Sequence, residues 1–515
     1  MKTTINTERN KIFVLLISSF LVRSIIAANI DLSNDEVNYW AYALYPALSH
    51  FDHPPMVGVF IQLFTLNLTF QSEFFIRAAS LVVGTINTYI IFRIGKQLYD
   101  FNAGLTAAIL YTASVYCSVI LGLFILPDTP LSLFWLLTFY IALNILPEKC
   151  PVPKSKKLFL LLGILIGLGM ISKYTAAFLW IGIIAYILFV NRVWLKTKEF
   201  YIAGILTIIL FIPVIIWNVQ NDFISFTFQG ERVSLTESKL RFDFLGTELA
   251  GQIFYNNPVN FVIVIASFVA LFKRKFTIKR DYLILLLLWS IPIIAIFFLS
   301  SLTRRTLPHW SAPGYYGLII IASVYLSSIS KIKIHYSAKL SLLLVVVVLL
   351  LGFIQIKTGF IYNDVKDRTT INLGEKDASL DLFGWHQLAS NFDIIYKRDL
   401  SENKISKDPY IITWRWFPAA NYDYYIGNLT GVKSYALGGL ENIRNYYWIN
   451  KKRTLPKLGS DAYYICSSRD YSLPSKHYSD YFTEFEPADT IRIMRNNINV
   501  MNYFVFRMKG LKREL

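Results

Sequence analysis

Cysteine is scarce in this sequence. The 515 residues hold three, Cys117, Cys150 and Cys466. Cys117 lies in an apolar run and Cys150 in a Lys-rich loop, so neither has an obvious pairing with Cys466. That excludes a disulfide scaffold and a cysteine-based metal framework. Charge is sparse too, at 17% of residues, and acids are outnumbered, with Asp and Glu at 34 against Lys and Arg at 51. The resulting +17 suggests nucleic acid as a partner. However, the basic residues flank apolar runs and form no single patch, so nucleic acid is excluded. No phosphate-cradling glycine loop, dinucleotide fingerprint, His-Glu-x-x-His helix or nucleophile elbow occurs. Internal repeats and low-complexity tracts are missing as well.

Apolar residues are what the chain has in excess, 54% of the total, with a mean hydropathy of +0.44. Soluble domains hold about 45–50%. The excess is gathered into long runs, and crossing a bilayer takes about 20 such residues. The pattern predicts a polytopic α-helical membrane protein with about eleven spans, near 12–30, 77–97, 103–121, 127–146, 158–172, 174–191, 200–218, 257–272, 281–301, 311–328 and 339–357. Residues 12–30 also read as an uncleaved first helix and not as a signal peptide. With the N-terminus placed in the cytoplasm, one set of loops collects the positive charge. It holds Arg93 and Lys96; Lys149, Lys154, Lys156 and Lys157; Arg192, Lys196 and Lys198; Lys273 to Arg280; and Lys331, Lys333 and Lys339. Keeping those clusters on one side requires two spans within 158–191, meeting near Ser172-Lys173 on the outer side.

After about residue 357 the apolar runs shorten. Tyr410–Trp414 and Ala462–Cys466 read as strands and Trp385–Tyr396 as a helix, which predicts an extracytoplasmic α/β domain over 358–515. Residues 1–357 then form the transmembrane module, with a first outer loop at 31–76.

That loop has no Lys or Arg. It carries Asp31, Asp35, Glu36 and Asp52 with His50 and His53, among Tyr39, Trp40, Tyr42, Tyr45 and Phe51. Carboxylates beside aromatic rings suit a sugar, and ionisable groups close to a membrane are costly enough to suggest function. The purely topological alternative is a loop left negative by the inside preference for Lys and Arg. Pro54-Pro55 stiffens the chain after Asp52-His53, and 56–70 reads as an interfacial helix. Asp128 follows Pro127 at the outer start of a span, where it could cap a helix or serve a site. Several outer basic residues run against the charge bias: Arg77, Lys173 beside Tyr174, Arg232, Arg241, and Arg304-Arg305 with His309. They could hold an anionic phosphate headgroup, or snorkel to lipid phosphates. No cofactor motif is present. A divalent metal is the only cofactor left open, and Asp52 with His53 supplies two ligands, too few for a site.

Asp35-Glu36, Phe51-Asp-His-Pro-Pro55, Pro127-Asp-Thr-Pro130, Ser172-Lys-Tyr174, Pro213 to Trp217-Asn218, Ser225-Phe-x-Phe-Gln229 and Pro308-His-Trp-Ser-Ala-Pro313 recur in this order. Together they resemble the bacterial glycosyltransferase family 39-like proteins. These are relatives of protein O-mannosyltransferases and of the lipid A aminoarabinose transferase, in the GT-C superfamily. The resemblance covers residues 10–330 closely and the region from Tyr410 to Trp448 more loosely. It implies an inverting transfer of sugar from a polyprenyl-phosphate carrier to an envelope acceptor (lipid, glycan or protein). The setting would be the outer face of a bacterial inner membrane, with the C-terminal domain periplasmic. By the same resemblance Asp35 is the catalytic base, with Glu36 beside it. Lys173, Arg304 and Arg305 are expected around the leaving phosphate, with Arg77, Tyr174 and His309 as further binding residues. Asp128 would orient the acceptor or the donor sugar. Asp52-His53 stands where the aminoarabinose transferases carry Glu-Lys, and a histidine binds phosphate as a cation only if its pKa is raised. A flippase of lipid-linked sugars is the alternative, but such transporters show paired repeats and interrupted mid-membrane helices. A glycan-binding scaffold would leave the acidic loop unused.

Overall fold

The apolar runs are helices. The computed structural model describes residues 2–232, 240–329, 334–361 and 371–514. Lys331 and Lys333, two of the basic residues used to orient the spans, lie outside the described residues. Among those described, seven helices are long and apolar enough to cross a membrane. They are Asn10–Asn29, Glu73–Leu98, Asp128–Ile145, Lys198–Gln220, Arg280–Ser300, Pro308–Ile329 and Tyr336–Thr358. A bent pair, Phe242–Tyr255 and Pro258–Phe272, makes up to eight.

The other expected spans are helical but shorter or interrupted, for readable reasons. Pro153–Met170 carries Lys154, Lys156 and Lys157 in its first turns. Phe101–Ala113 stops at Ser114 and resumes as a π-helical turn, Tyr116–Ile120. The 97° bend falls at Asn257, whose φ of 71° leaves the helical region and whose side chain caps Val259 N at 3.0 Å ahead of Pro258. The two short helices expected within 158–191 are present, broken between Met170 and Tyr174. Residues 56–70 contain one short helix, Met56–Phe64, and then turns with positive φ at Leu66, Asn67 and Leu68.

The chain divides into two compact units: Met1–Ala28 with Pro46–Leu349, and Asn29–Tyr45 with Leu350–Leu515. The boundary expected near 357 therefore falls at 349–350. The first outer loop is shared out, its Asp35-Glu36 segment grouping with the C-terminal unit.

The first unit has one large apolar core running through the helices. Lipid supplies little driving force between apolar helices, so close approach and polar ties hold them. Gly163 lets Pro153–Met170 sit against the Ala203 backbone of Lys198–Gln220, where a Cβ would collide. Asn260 donates to Leu110 O at 2.8 Å and accepts from Ser341 at 2.6 Å. Asn257 donates to Ala113 O and Ser341 O.

The second unit is built on a five-stranded sheet: β1 (Tyr410–Thr413), β2 (Ser434–Ala436), β3 (Ala462–Ser467), β4 (Phe482–Arg495) and β5 (Ile498–Leu511), in the order β2-β1-β3-β5-β4. β1 is parallel to β2 and β3, while β3-β5 and β5-β4 are antiparallel. Asn496 and Asn497, with φ of 50° and 61°, make the tight turn between β4 and β5, a conformation asparagine tolerates. Tyr410, Ile412, Ala462, Tyr464, Cys466, Phe506 and Met508 recur at every second position and share one apolar cluster. On the other face Arg507 and Tyr463 reach Asp399 of the helix Trp385–Ser401.

The segment 29–45 is fastened within this unit. Leu32 N donates to Tyr425 Oη at 2.6 Å and Trp385 N to Asp31 at 2.9 Å. Asn421 donates to Asn34 at 2.9 Å, and Trp40 meets Tyr424 edge-on with ring centres 5.2 Å apart.

Candidate active site

In the first unit, helix and chain breaks deliver ionisable groups to one place. Pro127 is the N-cap of Asp128–Ile145 and makes no side-chain cap bond. Asp128, in the first turn, does not serve as the cap either. Both of its oxygens take Lys173 Nζ at 2.9 Å, and one also accepts from Tyr116 Oη at 2.8 Å. Lys173 reaches it because the chain is extended there, between Met170 and the turn at Tyr174. Tyr116 reaches it from the π-helical turn, a type of irregularity frequent at functional sites. Asp128 and Lys173 are both buried, at 3% and 7% exposure. Their attraction is therefore little screened, and losing one partner would strand the other.

His53, Arg232 and His309 surround this pair. Burial pushes His53 down to about 3, helped by the nearby Lys173, Arg232 and His309 and opposed by Asp128. His53 is therefore neutral at physiological pH and cannot act there as a phosphate-binding cation. The Arg232 guanidinium lies over the rings of Phe228 and Trp310, with centroids 4.7 and 4.9 Å away. Phe228 packs in turn on Phe51 at 4.7 Å, and Gln229 donates to Asp52 O. The short helix Ile224–Glu231 is thereby pinned to the Asp52-His53 segment. Tyr174 joins through Ser225, the hydroxyls 2.8 Å apart.

In the second unit Glu36 is fully buried and occupied. Ser33 N donates to its carboxylate at 2.9 Å while Ser33 Oγ accepts from Glu36 N, a reciprocal cap on the helix Asn34–Leu44. Asp35, one residue earlier, is exposed.

Of the residues singled out from sequence, Asp128, Lys173, His53 and His309 come together, with Asp52 and Tyr174 joined through Gln229 and Ser225. Asp35 and Glu36 belong to the other unit. Arg77 is fully buried, donating to Ala27 O at 2.9 Å with its guanidinium over Phe124. Arg304 is half-buried and Arg305 exposed, in the loop before Pro308. The charges acting on His53 come instead from Lys173, Asp128, Arg232 and His309. Tyr116, Gln229 and Trp310 were not expected. Tyr116 lies in an apolar run where tyrosine reads as core or interface belt. Gln229 had a signal, the Ser225-Phe-x-Phe-Gln229 pattern, but no sequence rule says what the glutamine holds.

A family described as dolichyl-phosphate-mannose-protein mannosyltransferase matches residues 52–217, the stretch that contains Asp52, His53, Asp128, Lys173 and Tyr174. The chain is similar to the lipid A galacturonosyltransferase RgtD of Rhizobium johnstonii, with 21% identity over 326 residues. That similarity spans 60% of this chain and 64% of RgtD, so less than two thirds of the relative's length is covered. It is also similar to crystal structures of ArnT from Cupriavidus metallidurans. The apo form matches with a TM-score of 0.60 and the form bound to undecaprenyl phosphate with 0.62. Each shows 13% identity and covers 96% of this chain and 97% of ArnT. At that identity the likeness establishes the fold.

Proposed function

We propose that the chain is a PMT/ArnT-like GT-C glycosyltransferase, moving a sugar from a polyprenyl-phosphate carrier to a lipid-type envelope acceptor on the outer face of the membrane. The observation that carries this reading is the buried Asp128–Lys173 pair, with Tyr116 and the neutral His53 around it. An ammonium has three N–H donors. The two oxygens of Asp128 engage Lys173 and fix its position, and the donor that remains is aimed by that pairing and available to a phosphate oxygen. Because Asp128 balances the charge of Lys173, the net positive charge for a departing lipid phosphate falls to Arg232. Its guanidinium offers a planar fork and is held over two rings.

In the reaction, the anomeric carbon–oxygen bond to the phosphate breaks as the acceptor oxygen attacks from the opposite side, inverting the configuration. The phosphate leaves with its electron pair, needing positive charge and no proton. The acceptor hydroxyl gives its proton to a base, the role the family resemblance assigns to Asp35. The exposure of Asp35 and the engagement of Glu36 in capping its helix support Asp35 over its neighbour. The undecaprenyl phosphate bound in the ArnT structure supports the donor class, and the lipid A substrate in RgtD's name supports a lipid acceptor.

The test is transfer of radiolabelled sugar from a polyprenyl-phosphate donor by the purified, lipid-reconstituted protein. Label is expected on a lipid acceptor. Label that crosses the membrane still attached to its carrier would make the protein a flippase. Asp35→Asn is expected to lower kcat by roughly 10²–10⁴, and full activity in that variant would remove Asp35 as base. Arg232→Ala is expected to raise KM for the donor about tenfold.

A further inference from the structure

At the other end of the first unit's bundle lies a groove that the transfer reaction does not use. Its volume is 620 Å³, and Ile12, Phe13, Phe92 and Phe101 make its apolar wall. The span Glu73–Leu98 brings Arg93, Lys96 and Gln97 to the rim in its last turns, and Asp128–Ile145 brings Tyr140 and Asn144 from its own C-terminal end. Asn144 donates to Gln97 at 3.3 Å, so the two helices end at one level. Ile12 and Phe13 open the first span, which therefore begins at that level.

The rim is arranged for negative charge. The Arg93 guanidinium donates to Tyr140 Oη at 3.0 Å and Tyr89 Oη at 3.4 Å and lies against both rings. Lys96 follows one turn later, its ammonium 5.7 Å from the centre of the Phe101 ring. Among the described residues, no carboxylate lines the groove. The neighbouring Asp100 is engaged by Ala103 N and Ser327. Arg93, Lys96, Gln97 and Asn144 are nonetheless exposed, as are Phe13 and Tyr89. Two cations held above an apolar cleft, at the end of membrane-spanning helices, match one kind of molecule. It has an anionic head at the interface and acyl chains below it.

We propose that this groove is a binding site for an anionic glycerophospholipid, its phosphate held by Arg93 and Lys96 and its chains lying along Phe13, Phe92 and Ile12. The site is independent of the sugar-transfer reading, and its test does not use transfer. The full chain is placed in nanodiscs of phosphatidylcholine alone or of phosphatidylcholine with phosphatidylglycerol, and lipid retention is read by native mass spectrometry alongside the thermal transition. The wild type is expected to retain phosphatidylglycerol selectively and to gain thermal stability from it. Arg93→Gln with Lys96→Gln should weaken that retention roughly 30-fold. Lys154→Gln with Lys157→Gln, an equal charge loss at exposed positions outside the groove, should leave it in place. Arg93→Lys with Lys96→Arg keeps the charge and should keep most of the retention. Should the double glutamine variant fail to fold in phosphatidylcholine alone, Lys96→Gln by itself carries the test, with a several-fold loss expected. Equal losses in the groove and control variants, equal retention of the zwitterionic lipid, or a thermal shift produced by inorganic phosphate alone would each overturn the proposal.

Discussion

The two units bury opposite charges in different ways. In the second unit the pairs are arginine with aspartate, and each is closed on itself. Arg507 meets Asp399 through two parallel bonds of 2.6 and 2.9 Å, with Tyr463 adding a third. Arg453 meets Asp423 at 2.6 Å, with Tyr446 on the same carboxylate and Ser434 O on the guanidinium. Burial alone would push the Asp399 carboxyl up, but Arg507 and Tyr463 hold it below the usual carboxylate range. In the first unit a buried lysine meets an aspartate. A neutral histidine lies beside it, and among the described residues Asp128 takes two of the ammonium's three donors. A planar fork satisfied on every side is suited to holding a fold. A point charge with a spare donor, beside groups whose protonation the protein has shifted, is suited to holding a substrate. The contrast supports the proposed reading, in which the Asp128–Lys173 pair serves the substrate and the arginine pairs serve the fold.

The largest expected effect breaks the structural side of that contrast. Arg507→Met leaves Asp399 buried and unpaired, which should cost the second unit about 3–5 kcal/mol. Adding Asp399→Leu should recover most of that loss, and denaturant melts of the set measure it. If Arg507→Met costs no more than an exposed substitution, the pair is not structural.

The same logic applied to the first unit should split stability from activity. Lys173→Met is expected to lower transfer by roughly 10²–10³, the usual cost of removing one preorganised donor to a developing negative charge. Adding Asp128→Leu should restore the thermal transition but not the transfer. A double variant that regains transfer would make this pair structural as well.

A smaller effect separates the neighbours Asp35 and Glu36. Glutamine can complete a reciprocal cap as glutamate does, so Glu36→Gln should keep turnover within about twofold of wild type. A loss as deep as that of Asp35→Asn would give Glu36 a chemical role beyond capping its helix.

The smallest effect is on pH dependence. His53 titrates near 3 when folded and near its ordinary 6.5 when unfolded. Above 6.5 it is neutral in both states and contributes nothing. Between 6.5 and 3 the unfolded chain takes up a proton that the folded one refuses, so stability falls as pH falls. His53→Gln should flatten the acid limb of the melting temperature against pH over that window. An unchanged limb would mean His53 is not held neutral.

Much of the architecture was legible without the structure. Runs of apolar residues long enough for a bilayer marked the helices, and the spread of Lys and Arg placed a break near Ser172-Lys173, where the helices do separate. Short runs rich in β-branched and aromatic residues marked Tyr410–Trp414 and Ala462–Cys466, and β1 and β3 lie there. These are local signals, carried by run length, residue type and charge along the chain. Spans interrupted by a π-helical turn or a positive-φ asparagine were harder to see, because such breaks depend on one residue and its surroundings.

The site was legible in its residue types and not in its partnerships. Asp128, Lys173, His53 and His309 stood out as ionisable groups near membrane ends. That Asp128 binds Lys173 instead of capping its helix depends on a contact between residues 45 positions apart. That Arg77 turns inward to Ala27 O, and that Gln229 holds the Asp52 segment, depends equally on distant chain.

By itself the sequence determined that this is a multi-pass membrane protein with a mixed α/β tail and a loop rich in carboxylates, because hydropathy and charge are sums over neighbouring residues. The tertiary structure alone decided which unit each part of that loop joins, which aspartate meets which cation, and that His53 is neutral. Each of those outcomes is set by burial and by partners far away in the chain, and neither is written in any local stretch of sequence.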